Sequence, residues 1–222
     1  MKKIKIHLRP NKVIKFLILS DLSFWAGYGF ISPVFAIFIV DRIVDGSAFV
    51  AGTAAAVYWI TKSLLRVPIG AFLDTCPSER DDYFTLVAGL FIAALVPFGY
   101  ILAKTPFHVY LLQGIQGLGM AMMLSGWTPI FTRHIDRGRE STEWGLDAMS
   151  AGLGMGIAGA VGGWAVSAFG FVPVFVVVGI LGIIGALLLF GLRNEIKGVF
   201  DNGSLNKGVY FHLKDIFHLD KE

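Results

Sequence analysis

The chain has 222 residues, of which 55% are hydrophobic and only 16% charged, and its mean hydropathy is +0.68. That is too apolar for a water-soluble globule of this size, so a soluble enzyme or soluble binding domain is excluded and the apolar residues require lipid. The net charge of +3 assigns no class by itself, the single Cys76 rules out an intramolecular disulfide, and no Cys/His cluster has metal-ligand spacing, so neither cofactor, metal nor nucleic-acid partner is expected.

The apolar residues fall into six blocks of about 20, the length a helix needs to cross a bilayer about 30 Å thick. In chain order the predicted spans are Phe16–Phe38, Ala48–Phe72, Tyr83–Leu102, Phe107–Phe131, Trp144–Phe169 and Val172–Leu192. Residues 1–15 form a basic N-terminus, 16–192 the transmembrane domain and 193–222 a polar tail. The first block follows Lys2, Lys3 and Lys5, as a signal peptide would, but it is too long for a cleaved core and holds Asp21, Trp25, Tyr28 and Pro33. It is read as a retained helix. In the tail, Val209, Leu213, Ile216 and Phe217 have helical spacing and predict a short amphipathic helix.

Lys and Arg near membrane ends stay on the cytoplasmic side. With the N-terminus inside, only Arg42 and Lys104 fall outside, while the N-terminal lysines, Arg133, Arg137, Arg139, Arg193 and the tail lysines fall inside. Both termini are expected in the cytoplasm, in a plasma or inner membrane.

Polar groups are unevenly spread over the spans. The third and sixth contain no Asp, Glu, Lys or Arg and read as scaffold. On the first, Asp21, Trp25, Tyr28 and Ser32 share one face; on the second, Ala55, Trp59, Lys62 and Arg66 do; on the fourth, Gln113, Gln116, Met120 and Trp127 do. Such stripes wall a water-filled cavity. Lys62 and Arg66 are the sharpest signal, because a charge at membrane depth costs a few kcal/mol on insertion scales and is retained for pairing or function. Asp21 and Arg66 are expected at matching depth and therefore as a pair. Lys62 has no carboxylate at its level, which leaves its ammonium for an anionic substrate or for proton exchange.

The fifth span carries Gly154, Ala158, Gly159, Gly162 and Gly163, small residues that let helix backbones approach closely in lipid. The loops after the second and fourth spans are crowded with mixed charge: Asp74, Glu79, Arg80, Asp81 and Asp82 in one, and Arg133 through Glu143 in the other. These are either solvated decoration or a network that latches one conformation. An intramembrane enzyme is not expected, because His7, His108, His134, His212 and His218 lie in tails, loops or helix ends and Ser125 has none at its depth.

Gly70-Ala-Phe-Leu-Asp74, followed by a run ending at Arg80, is similar to the loop motif of the major facilitator superfamily. Leu112 through Ala121 resembles that family's fourth-helix motif, with Gln113 where the motif has arginine. Gly154, Ala158-Gly159 and Gly162-Gly163 resemble its glycine-rich fifth-helix motif, with Gly159 where the motif has proline. Over residues 15–192 the chain thus resembles the N-terminal six-helix half of such a transporter. The resemblance implies an all-α half bundle built as a 3+3 inverted repeat, with helices one, two, four and five facing the cavity or the opposite half. It implies a substrate and proton cavity at Asp21, Trp25, Tyr28, Trp59, Lys62, Arg66, Gln113, Gln116 and Trp127. Gly70, Asp74 and Arg80 would form a cytoplasmic gating motif.

The expected function is secondary, proton-linked transport of a small organic solute by alternating access, with a channel or a non-transporting assembly protein as the alternative. Because one half supplies half a cavity, the expected partners, besides lipid, solute and protons, are a second copy of the chain in a homodimer or a separate second half. The rival is the front half of a longer transporter.

Overall fold

The computed structural model describes residues 10–76, 78–193 and 195–196. The basic residues before Pro10 and the tail helix expected around Val209 to Phe217 lie outside the described residues. All regular structure described is helical. The first span is two helices, α1 (Lys12–Ile31) and α2 (Phe35–Arg42), joined by a 3-10 turn over Ser32–Val34. Pro33 causes the break, since it has no N–H to give to the preceding turn. The other spans are α3 (Ala48–Thr75), α4 (Glu79–Leu102), α5 (Pro106–His134), α6 (Glu140–Phe169) and α7 (Phe171–Leu188).

Helix ends run past the expected boundaries where polar caps extend them. The first starts at Lys12 rather than Phe16, because the Asn11 side chain accepts the Ile14 N–H at 3.0 Å. Ser47 and Ser78 cap α3 and α4 in the same way. Five of the six spans are long and apolar enough to cross a membrane; α5 is long enough but less apolar, as it carries Gln113 and Gln116 mid-helix.

The principal packing contacts run α4 to α5, α3 to α5, α1 to α6, α1 to α7 and α4 to α7. Glycine sets the closest of them. A side chain at Gly119 would come within 2.9 Å of the Gly89 carbonyl oxygen, and one at Gly162 would collide with the Phe30 backbone, so α5 rides on α4 and α6 on α1 with backbones nearly touching. One core cluster surrounds Leu17, Leu86, Leu90 and Phe131 near the N-terminal end of the bundle. The other surrounds Ile39, Ala54, Val109 and Phe175 at the opposite end.

Candidate functional site

A cavity of about 210 Å³ lies between the two core clusters, towards the end away from the N-terminus. Tyr28 and Ser32 reach it from the first span at the Pro33 break, Tyr58 and Trp59 from α3, Pro97 and Tyr100 from α4, Gln113 and Gln116 from α5, and Phe175 from α7; α6 gives it nothing. Tyr100 meets Phe175 with ring centroids 5.4 Å apart, and Tyr58 meets Trp59 edge-on at 5.4 Å. The wall is therefore aromatic with a few hydrogen-bonding groups. Gln113 and Gln116 are buried, and the Gln116 Oε1 has no partner among the described residues, which leaves an acceptor for a guest or water. Among the described residues no acidic side chain lines the cavity.

Of the expected cavity residues, Tyr28, Trp59, Gln113 and Gln116 share this wall; Asp21, Trp25, Lys62, Arg66 and Trp127 do not. The stripes run the length of their helices, but the bundle closes at their lower ends. Trp127 stacks on Phe131 at 4.5 Å and meets Trp144 edge-on at 5.6 Å, so this end of the α5 stripe is core. Trp25 sits edge-on to Phe24 and Tyr28. Lys62 stands at the rim, its Nζ 3.4 Å from the Trp59 ring centroid and 5.1 Å from that of Tyr58.

The expected Asp21 and Arg66 ion pair does not form. Arg66 is exposed and its Nη2 donates to Thr128 Oγ1 at 3.4 Å. Asp21 is 6% exposed, with Oδ1 unpartnered. The spacing argument matched depth along the axis, but α1 packs on α6 and α7 while α3 packs on α5, so the two side chains belong to different seams.

Among the small residues of α6, Gly154, Ala158 and Gly162 meet α1, at Leu22, Gly29 and Phe30, and Gly159 lies 3.4 Å from Pro33 by the same measure; Gly163 meets nothing within 4 Å. One hundred degrees of helical turn separates Gly162 from Gly163 and carries the latter off the seam.

Gly70, Asp74 and Arg80 take part in no ion pair among the described residues; Arg80 lies over the Phe84 ring at 5.3 Å. The network at that end is made by other residues. Buried Asp82 and Glu79, in the first turn of α4, face Arg133 and His134 in the last turn of α5. Arg133 pairs with Asp82 and stands 3.7 Å from Glu79, and His134 Nδ1 stands 3.3 Å from Glu79 Oε1. Asn11 Nδ2 donates to the His134 carbonyl at 2.6 Å and to Asp136 at 3.3 Å, and Glu143 accepts the Asp136 N–H at 3.2 Å. This tie gathers α1, α4, α5 and α6 at one end. Its signal was present in the sequence as acids opening one helix and bases closing the next, which meet when consecutive helices lie antiparallel.

A bundle of long apolar helices around a small aromatic cavity, tied at one end by ions, has the form of a polytopic membrane protein. The family model of the Major Facilitator Superfamily matches residues 17–217. The chain belongs to that superfamily, a family of membrane transporters rather than enzymes. Among solved structures it is similar to the in meso crystal structure of the POT family transporter PepTSo, at a TM-score of 0.65 and 14% identity over 84% of this chain. The chain spans 38% of the length of that structure, and the likeness is one of fold. Among curated proteins none matches the sequence.

Proposed function

We propose that this chain is one six-helix half of an alternating-access secondary transporter, and that it works on a small organic solute with its α3 and α6 faces covered by a second half. One observation carries the reading. Of the five helices apolar enough to span, α3 and α6 are the least apolar and also the least buried, with 17% and 11% of their apolar stretches covered. Lipid should meet the most apolar helices, so a polar and small-residue face left open calls for protein. A homodimer about a two-fold axis along the membrane normal would supply it and complete the cavity. The 38% coverage of PepTSo favours a second reading, in which the covering half is a different stretch of chain.

The 3+3 repeat is part of this proposal, supported by the packing order. Exchanging the first, second and third spans with the fourth, fifth and sixth turns α3–α5 into α6–α1 and α4–α5 into α7–α1, and leaves α4–α7 unchanged, which reproduces the observed set. Cytoplasmic termini follow from the distribution of Lys and Arg. The cavity then lies towards the outer side, with the Glu79, Asp82, Arg133 and His134 tie holding the inner end. Proton linkage is assigned to Asp21, a buried carboxylate without a cationic partner among the described residues, where binding a proton removes the cost of an unpaired charge.

The test is uptake by the full chain in proteoliposomes, with pH gradients of both signs and a panel of neutral, anionic and cationic solutes. Gradient-dependent uptake lost in Asp21→Asn is expected. No uptake of any solute would favour an assembly protein.

A further inference from the structure

We infer that Lys62 and Arg66 form an anion-capture site at the rim of the cavity, and that the solute is an organic anion, a carboxylate on an apolar or aromatic body. The inference rests on the transporter reading for what the cavity is for, and on separate observations for what it takes.

Position comes first. Lys62 is the fifteenth of the 28 residues of α3, about 20 Å from either helix end at 1.5 Å per residue, too deep for its ammonium to reach a lipid headgroup. Neither Lys62 nor Arg66 forms an ion pair among the described residues. Two cations one helical turn apart thus stand in the membrane zone on the same face, which is costly unless an anion joins them. The aromatic pair beneath keeps one of them in place. With its Nζ 3.4 Å from the Trp59 centroid and 5.1 Å from that of Tyr58, the Lys62 ammonium is held over two rings that line the cavity. Arg66 is steadied by Thr128, and α3 is seated tightly on α5, where a side chain at Gly117 would lie 2.9 Å from the Tyr58 carbonyl oxygen.

Charge then selects. Among the described residues the lining holds no Asp or Glu, so a cationic guest would meet two like charges at the rim and no counterion inside. An anion would meet Lys62 and Arg66 at the rim, with the Gln113 and Gln116 amides further in as donors. The remaining wall, Phe24, Tyr28, Tyr100 and Phe175 among it, accepts an apolar body and gives a highly hydrated inorganic anion nothing in return for its water.

Three probes with one ring and different charge test this: benzoate, benzyl alcohol and benzylamine, titrated by calorimetry onto the full chain in nanodiscs, with empty nanodiscs subtracted. Benzoate is expected to bind at least about tenfold more tightly than the other two, the scale of one charge-assisted hydrogen bond. Lys62→Gln should weaken benzoate about tenfold, Lys62→Arg should restore it, and Lys62→Gln with Arg66→Gln should abolish the preference. Equal or tighter binding of benzylamine to the wild-type chain, binding of none of the three, or a benzoate preference that survives the double variant would each overturn the inference. The wild-type comparison stands even if a variant does not fold. Uptake of a cationic solute would overturn the anion site and leave the transporter reading intact. Lys62-dependent benzoate binding without any uptake would do the reverse.

Discussion

α4 and α7 differ from α3 and α6 in a way that lipid alone does not explain. The first pair is the most apolar of the spanning helices and has 50% and 44% of its apolar stretches buried within the bundle; the second pair is the least apolar and has 17% and 11% buried. In water such an order would follow from hydrophobic sorting, but in a bilayer the tails are as apolar as leucine and burial is won by close packing instead. Gly89, Gly179 and Gly182 let α4 and α7 reach their neighbours, whereas α3 exposes Arg66 and Trp59 beside a half-buried Lys62, and α6 exposes Gly152 and Gly156 on a face that has open space at Gly163. The difference teaches that the bundle is built around one pair of helices and offers the other pair.

The comparison can be broken most forcefully by the same substitution on both sides of it. Leu90 on α4 is 0% exposed and Leu64 on α3 is 70% exposed. Leu90→Ala should lower stability by about 2–5 kcal/mol through the void it leaves, while Leu64→Ala should stay within about 0.5 kcal/mol for the single chain. Thermal unfolding in detergent reads both, and equal losses would end the distinction.

A middle-sized effect is expected at the ion tie that joins the start of α4 to the end of α5. Arg133→Ala leaves buried Asp82 without an ion-pair partner among the described residues and Glu79 with only His134 beside it, and should cost about 1–3 kcal/mol. The companion Arg80→Ala should be nearly silent in the same assay, since Arg80 pairs with no acid among the described residues.

An effect of the same order sharpens the comparison within α6 itself. Gly162→Ala drives a methyl into the Phe30 backbone and should destabilise by about 1–3 kcal/mol, while Gly163→Ala meets nothing and should change stability by less than about 0.5 kcal/mol. Unfolding midpoints of the two variants side by side are sufficient.

How much of this was legible in the sequence depends on which interactions decide a feature. The six long helical stretches were legible because hydrophobic length is a one-dimensional property, though only five are apolar enough to span, and their ends moved by several residues because caps such as Asn11 are not part of the apolar pattern. Tyr28, Trp59, Gln113 and Gln116 were legible as cavity residues, since helical spacing gives the face. Which stretch of a stripe opens into a cavity was not: Trp127 shares the Gln113 face, yet stacking on Phe131 closes that end. Tyr58 and Tyr100 went unnoticed because an aromatic residue in an apolar span carries no signal of its own. The Asp21 and Arg66 pair failed because depth along a helix is readable while azimuth between two unpaired helices depends on packing.

Cysteine cross-linking in native membranes tests most directly whether the α3 and α6 faces are covered by a second copy of the chain. In a Cys76→Ser background, Trp164→Cys on α6, 63% exposed, is compared with Leu95→Cys on α4, 56% exposed. The account predicts efficient self-linking at position 164 and little at position 95. Equal linking at both, or none at position 164 in a chain that still transports by itself, would contradict it.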